Sequence, residues 1–239
     1  MDYRDLSTAY SREQQLEAAA AFPVLMRKVY LWMTFALVIT ALTAYYVATS
    51  ETLLMAILTN NALFWGLIIA EFALVFGISA AINKISLTMA TLLFVLYSAV
   101  NGATLSFILL LYTASSVVSV FLITAGTFAA MAAYGYFTKT DLMSWGKYLV
   151  MALIGLIIAT IVNIFTQSSG FQMLLNYAGV LIFVGLTAYD SQKIKLMLLQ
   201  ATDTGEGAQK IALLGALSLY LDFINLFIYL LRIFGTRRD

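Results

Sequence analysis

Seven long apolar stretches separated by short polar connections dominate the chain: Val29–Thr49, Ala62–Ile82, Leu87–Tyr112, Ser115–Thr138, Lys147–Thr166, Phe171–Lys195 and Ile211–Phe234. A helix rises about 1.5 Å per residue, so roughly 20 residues cross a hydrocarbon core of about 30 Å, and a helix satisfies its own backbone there. The substantial connections are Ser50–Asn61, Lys139–Gly146 and Leu196–Lys210, too short to hold an inserted soluble domain. Ahead of the first stretch, Ser11–Ala21 (SREQQLEAAAA) combines good helix formers with a serine at its start and predicts a surface helix. The pattern gives an all-α membrane protein: a tail with a surface helix over 1–28, a seven-helix transmembrane bundle over 29–235 and a short tail over 236–239.

Composition narrows the chemistry. The chain is 62% hydrophobic and 10% charged, against about 25% charged in soluble domains, so the lipid bilayer is its first partner and no nucleic-acid partner is expected. It contains no cysteine and no histidine, which excludes thiolate, haem–histidine and histidine–zinc sites. No cofactor is expected, and a bound or passing metal must be a hard, oxygen-ligated ion such as calcium. Any sensing of pH near neutrality falls to carboxylates.

The distribution of charge orients the bundle. Arg4, Arg12, Arg27 and Lys28 precede the first span, and Lys84, Lys139, Lys147, Lys193, Lys195 and Lys210 flank alternate connections. Lysine and arginine in short loops stay cytoplasmic, so the N-terminus is expected in the cytoplasm. The start of the chain lacks the apolar core and small-residue site of a cleaved leader, and none is expected. Arg232, Arg237 and Arg238 run against the charge rule if the seventh stretch is a full span. A re-entrant segment would return them to the cytoplasm, but its length favours a full crossing.

Asp190 and Asp222 lie inside apolar runs, VLIFVGLTAYD and LLGALSLYLDFINLFIYLLRIF. A carboxylate in hydrocarbon is costly unless it faces protein or a water-filled cavity, so the pair marks an ion or proton site. Counting from helix ends near Leu199 and Ile211 puts Asp190 about 13 Å and Asp222 about 16 Å from their shared loop, where they can meet. Two such acids do not easily both ionise, so they should share a proton and titrate together. Ser218 and Asn225, at i−4 and i+3 from Asp222, share its face and can donate to it. The bland alternative is a hydrogen-bonded pair that only holds helices together.

Glu71, in the middle of the second span with no cation within a turn, is the third acid and a candidate for a cation pathway; an interhelical contact with the acid kept neutral fits it equally well. Asn101 and Asn163 read as interhelical packing groups, and Lys193 and Lys195 as anchors reaching lipid phosphates. Tyrosines and tryptophans such as Tyr45, Trp65 and Trp145 fall near span ends as an interfacial belt. Gly155 with Ala159, and Gly179 with Ala188, offer close helix approach. The connection 196–210 lacks the ligand spacing of a calcium loop.

The stretches GLTAYDSQKIK (Gly185–Lys195), LSLYLDFINLFIYLLRIFG (Leu217–Gly235) and NGATLS (Asn101–Ser106) resemble the transmembrane Bax-inhibitor motif family, and helix count and order agree. The resemblance implies a seven-helix bundle with the last helix central and two triplets around it. It also implies a pH-sensitive calcium leak channel of a bacterial inner membrane, with Asp190 and Asp222 as the proton-sensing pair and calcium ions and protons as partners. Glu71 occupies the place of an acid that recurs in bacterial relatives. Some relatives latch the aspartates with an arginine at the end of the second span, where this chain has Ile82, Asn83 and Lys84; a lysine is a point charge rather than a planar fork. The alternative for the family is a non-conducting modulator that binds a membrane-anchored protease. Tyr189-Asp190 also echoes intramembrane aspartyl proteases, but Asp222 follows Tyr220-Leu221 rather than a glycine motif and Pro23 is the only proline, so no enzyme is expected.

Overall fold

The computed structural model describes residues 3–201 and 203–238. Its helices are α1 (Tyr3–Thr49), α2 (Glu51–Thr59), α3 (Asn61–Ala81), α4 (Leu87–Leu111), α5 (Ala114–Phe137), α6 (Gly146–Thr166), α7 (Ser169–Leu199) and α8 (Glu206–Phe234), with a 3-10 turn at Met143–Trp145. Seven of these, all but α2, are long and apolar enough to span a membrane. Short polar side chains start several of them: Asn60 Oδ1 accepts from the Ala62 and Leu63 amides at 3.0 and 3.2 Å, and the hydroxyls of Ser86 and Ser168 accept from Met89 and Phe171. Each takes up backbone donors that a helix start leaves unpaired.

Three expectations change. The connection Ser50–Asn61 is mostly α2, which Ser50 caps and which is too short to cross. The expected surface helix before the first span is continuous with it as α1. α8 begins at Glu206, not near Ile211, so Asp222 lies about 24 Å along α8 from its start rather than 16. The early start has a tertiary cause: Glu206 accepts from the Leu87 amide at 2.9 Å and pairs with Lys210 at 3.0 Å.

α8 is central. In its most apolar stretch 67% of residues are buried, against 6% in α3 and 11% in α6. α1, α4, α5 and α7 pack against it; α3 lies outside on α4 and α6 outside on α7, so α1, α3 and α4 form one triplet and α5, α6 and α7 the other. Phe76, Phe137, Phe165 and Leu181 are among the large apolar side chains left on the outside, an apolar surface that suits lipid.

Side-chain contacts fix the two ends of the bundle. At one end Lys28 donates to Gln209 at 2.7 Å, and Gln192 holds the α5–α6 connection through Thr140 and Leu142. At the other, the chain after α8 pairs with the α4–α5 turn: the Thr113 amide donates to Thr236 O, the Arg238 amide to Leu111 O and the Thr236 amide to Ser116 Oγ. α8 therefore crosses the whole bundle, and its terminal arginines lie opposite the lysine-bearing connections, as a full seventh span requires.

Helix approach depends on particular glycines. A Cβ on Gly135 of α5 would collide with the Ala188 carbonyl of α7, and Ser191 bonds across the same seam to Ala132 O at 2.7 Å. Gly155, expected to allow close packing, has open space beside it. Gly135→Val should therefore destabilise by about 1–3 kcal/mol through overpacking. Gly155→Ala should be neutral or stabilising by up to about 1 kcal/mol from helix propensity. Melting of the two purified variants in detergent checks the contrast, and equal melting would contradict it.

Candidate functional site

Successive residues of a helix are turned by about 100°, so Tyr220 and Asp222 leave α8 on nearly opposite sides. Asp222 is 4% exposed, and its Oδ2 is buried with no hydrogen-bond partner among the described residues. Asp190 of α7 is half-buried and is the charged group that bears on Asp222, while Lys193 is the cation that bears on Asp190. Asp190 thus lies within electrostatic reach of Asp222 despite the revised start of α8.

A cavity of about 240 Å³ reaches this pair; Ser79 of α3, Asp190 and Lys193 of α7, and Gly215 and Ser218 of α8 contribute to its wall. Met197 and Leu214 extend it along α7 and α8 towards their connecting loop, so it approaches from the lysine-bearing end. Asp190 stands at the cavity and Asp222 behind it. Ser218 lines the same space as Asp190, while Asp222 Oδ2 takes no bond from it. Asn225 is directed elsewhere: its Nδ2 donates to the Leu221 carbonyl of its own helix at 2.8 Å.

On the opposite side of α8, Tyr220 donates to Asn101 Oδ1 of α4 at 3.0 Å and lies 2.6 Å from Thr40 Oγ1 of α1; Thr40 is in turn 2.9 Å from the Ser98 carbonyl. Glu71 of α3 faces Asn101 and Thr104, and its Oε1 is buried without a partner among the described residues. Phe94 and Tyr97 close edge-on around the Tyr220 ring. Two groups of acids therefore flank one helix: Asp190 with Asp222 on one side, and Glu71, behind Asn101 and Tyr220, on the other. Among the described residues no cluster of three or more His, Cys, Asp or Glu side chains is placed to hold a metal.

The lysines depart from their expected roles. Lys195 turns inward, donating to the Tyr136 carbonyl at 2.7 Å with its ammonium 5.0 Å from that ring's centroid. Lys193 faces the cavity beside Asp190. Lys84, at the place of the latching arginine of some relatives, is exposed in the α3–α4 turn. Sequence reasoning missed Lys193 as a site residue although its i+3 spacing from Asp190 signals contact. It also missed Thr40 and Tyr220, whose partners lie on other helices and leave no local signal.

Comparison with known proteins places the chain. The sequence model of the family described as "Inhibitor of apoptosis-promoting Bax1" matches residues 23–239. The inner membrane protein YbhL of Escherichia coli K12 is 49% identical over 225 residues, covering 93% of this chain and 96% of that protein. An uncharacterized protein of Borreliella burgdorferi is 49% identical over 214 residues, 90% of this chain and 92% of its own. Another from Deinococcus radiodurans is 38% identical over 231 residues, 97% and 96% of the two chains. A match across the transmembrane bundle, carboxylate pair and Tyr220 cluster included, makes this seven-span membrane protein a member of the Bax inhibitor family.

Proposed function

We propose that this protein is a pH-sensitive calcium leak channel of a bacterial inner membrane, in which Asp190 and Asp222 share a proton and control the path and Glu71 lies further along it. The observation that carries the reading is a cavity that ends on Asp190 with Asp222 behind it, one oxygen of the second acid having no protein partner. The name of the Escherichia coli relative supports the location.

The chemistry follows from charge. With one proton shared, the pair carries a single negative charge; losing that proton adds a second and draws a divalent cation. Calcium prefers hard oxygen ligands, and two carboxylates with the Ser79 and Ser218 hydroxyls nearby give a weak, exchangeable stopping place suited to a passing ion. Lys193 at the cavity wall opposes cation entry until the pair is fully charged. Beyond the pair, Tyr220 with Thr40 and Asn101 separates it from Glu71. On this reading the arrangement is the closed one, and conduction requires that partition to part.

Protein reconstituted into liposomes should pass Ca²⁺ down its gradient, with calcium affinity rising as pH increases because protons and calcium compete for one pair. Asp190→Asn or Asp222→Asn leaves one acid without its like-charged neighbour and should flatten or shift the pH dependence of flux. A variant that keeps the full wild-type pH response places the sensor elsewhere. Flux no greater than in empty liposomes, from folded protein, would sink the channel reading and favour a non-conducting modulator of a membrane-anchored protease. Glu71→Gln preserves size and hydrogen bonding while removing a charge; it should lower flux with little change in melting, and unchanged flux would reduce Glu71 to a structural contact.

A further inference from the structure

Two of the three arginines that break the charge rule, Arg232 and Arg237, line one cavity. At the end of the bundle remote from the lysine-bearing connections, a space of about 500 Å³ lies among the ends of α4, α6, α7 and α8, and the tail after α8 closes over it. Arg232 and Arg237 both line it, with Asn163, Gln172 and Asn176 deeper inside. No carboxylate is among the described residues that line it.

The hydrogen bonds inside run in one direction. The Thr166 hydroxyl donates to Asn163 Oδ1 at 3.2 Å, Asn163 Nδ2 to Gln172 Oε1 at 2.9 Å, and Gln172 Nε2 to Asn176 Oδ1 at 3.0 Å. Each amide oxygen thereby accepts one bond. The chain ends on Asn176, which is 4% exposed and whose Nδ2 donates no bond in this run. Guanidinium groups are donors only, so what the cavity offers an occupant is a set of donors.

Capping of helix ends does not consume the arginines. The carbonyls of Ile108, Leu111, Asn163 and Leu231 that end α4, α6 and α8 here already accept from the amides of Tyr112, Arg238, Gln167 and Gly235. Arg232 is held by packing: its guanidinium carbon sits 5.7 Å from the Tyr229 ring centroid, and that ring fills the space beside Gly179, where a Cβ would come within 2.6 Å of it. Arg237 is fixed through its backbone by the bridge to Tyr112. Two exposed, planar donor forks lining a cavity that also holds Asn176 suit the oxygens of a phosphate group.

Apart from Tyr112 and Thr160 the remaining wall is apolar, and two of its members, Leu111 and Ile164, continue onto the exposed outer surface. We propose that this cavity binds the phosphate of an anionic phospholipid, with its donors on the headgroup and its apolar side along the acyl chains. The site is separate from the carboxylate pair and does not depend on the channel reading. A free phosphate ion offers the same oxygens without the tails.

Native mass spectrometry of the delipidated full-length protein, titrated with phosphatidylglycerol, phosphatidylcholine or inorganic phosphate, tests the site. Wild type should retain one phosphatidylglycerol in preference to phosphatidylcholine, and Arg232→Gln or Arg237→Gln should weaken retention by about tenfold or more, as loss of a charge-assisted bond predicts. Lys139→Gln, at the opposite end, should bind as wild type does. The Arg237 side chain is exposed and its bridge uses only backbone, so Arg237→Gln decides the question if Arg232→Gln does not fold. Phosphate binding that depends on the arginines, without phosphatidylglycerol binding, assigns the site to the free anion. Equal retention of phosphatidylglycerol by wild type and a folded arginine variant, no preference over phosphatidylcholine, or no binding of either probe overturns the proposal.

Discussion

Water cannot rescue a polar side chain in the middle of a bilayer, so each one must find its partner in protein or open a cavity to solvent. α8 is where this constraint acts most strongly, because it is the most buried helix and yet carries an acid and a tyrosine two residues apart. The two side chains satisfy the constraint differently. Tyr220 is enclosed by side chains of α1 and α4 and bonds to both, whereas Asp222 has an oxygen left over and a neighbouring cavity at Asp190. The tyrosine side joins α1 and α4 to α8 by hydrogen bonds; on the aspartate side Asp222 Oδ2 has no such partner among the described residues.

Much of this was legible from residue type alone. The seven spans come from apolar run length, and Asp190 and Asp222 from the cost of a carboxylate inside such a run. The central position of α8 came from the resemblance of its motif to a known family, because hydropathy alone does not say which apolar helix faces lipid. Exact element bounds depended on contacts between distant residues, as the Glu206–Leu87 bond shows for the start of α8. The Thr40–Tyr220–Asn101 cluster was illegible for the same reason: its bonds to Tyr220 join residues 180 and 119 positions apart and form only once three helices pack. Lys193 was readable by spacing but was taken for an anchor, since a lysine near a span end usually seeks the interface.

The distribution of cations becomes coherent once the ends are seen together. Lys28, Lys139, Lys193, Lys195 and Lys210 belong to the end where α8 begins, and the last arginines to the end where it stops. The two ends also differ in what fills them. The first presents an approach to a carboxylate past a lysine, the second a hollow lined by arginines and side-chain amides with no acid among the described residues of its wall.

The chain's last residues change the mechanics of the helix before them. α8 is tied at its start through Glu206 to the α4 amide of Leu87, and at its finish by a short antiparallel pairing with residues 111–113. Sliding α8 along its axis would break both fastenings at once, and α4 lies beside both. The central helix is therefore a tie-rod, set to a fixed length against α4. Rearrangement of the bundle around it is left to rotation and to the splaying of α7, which carries α6 with it and meets α8 through side-chain packing.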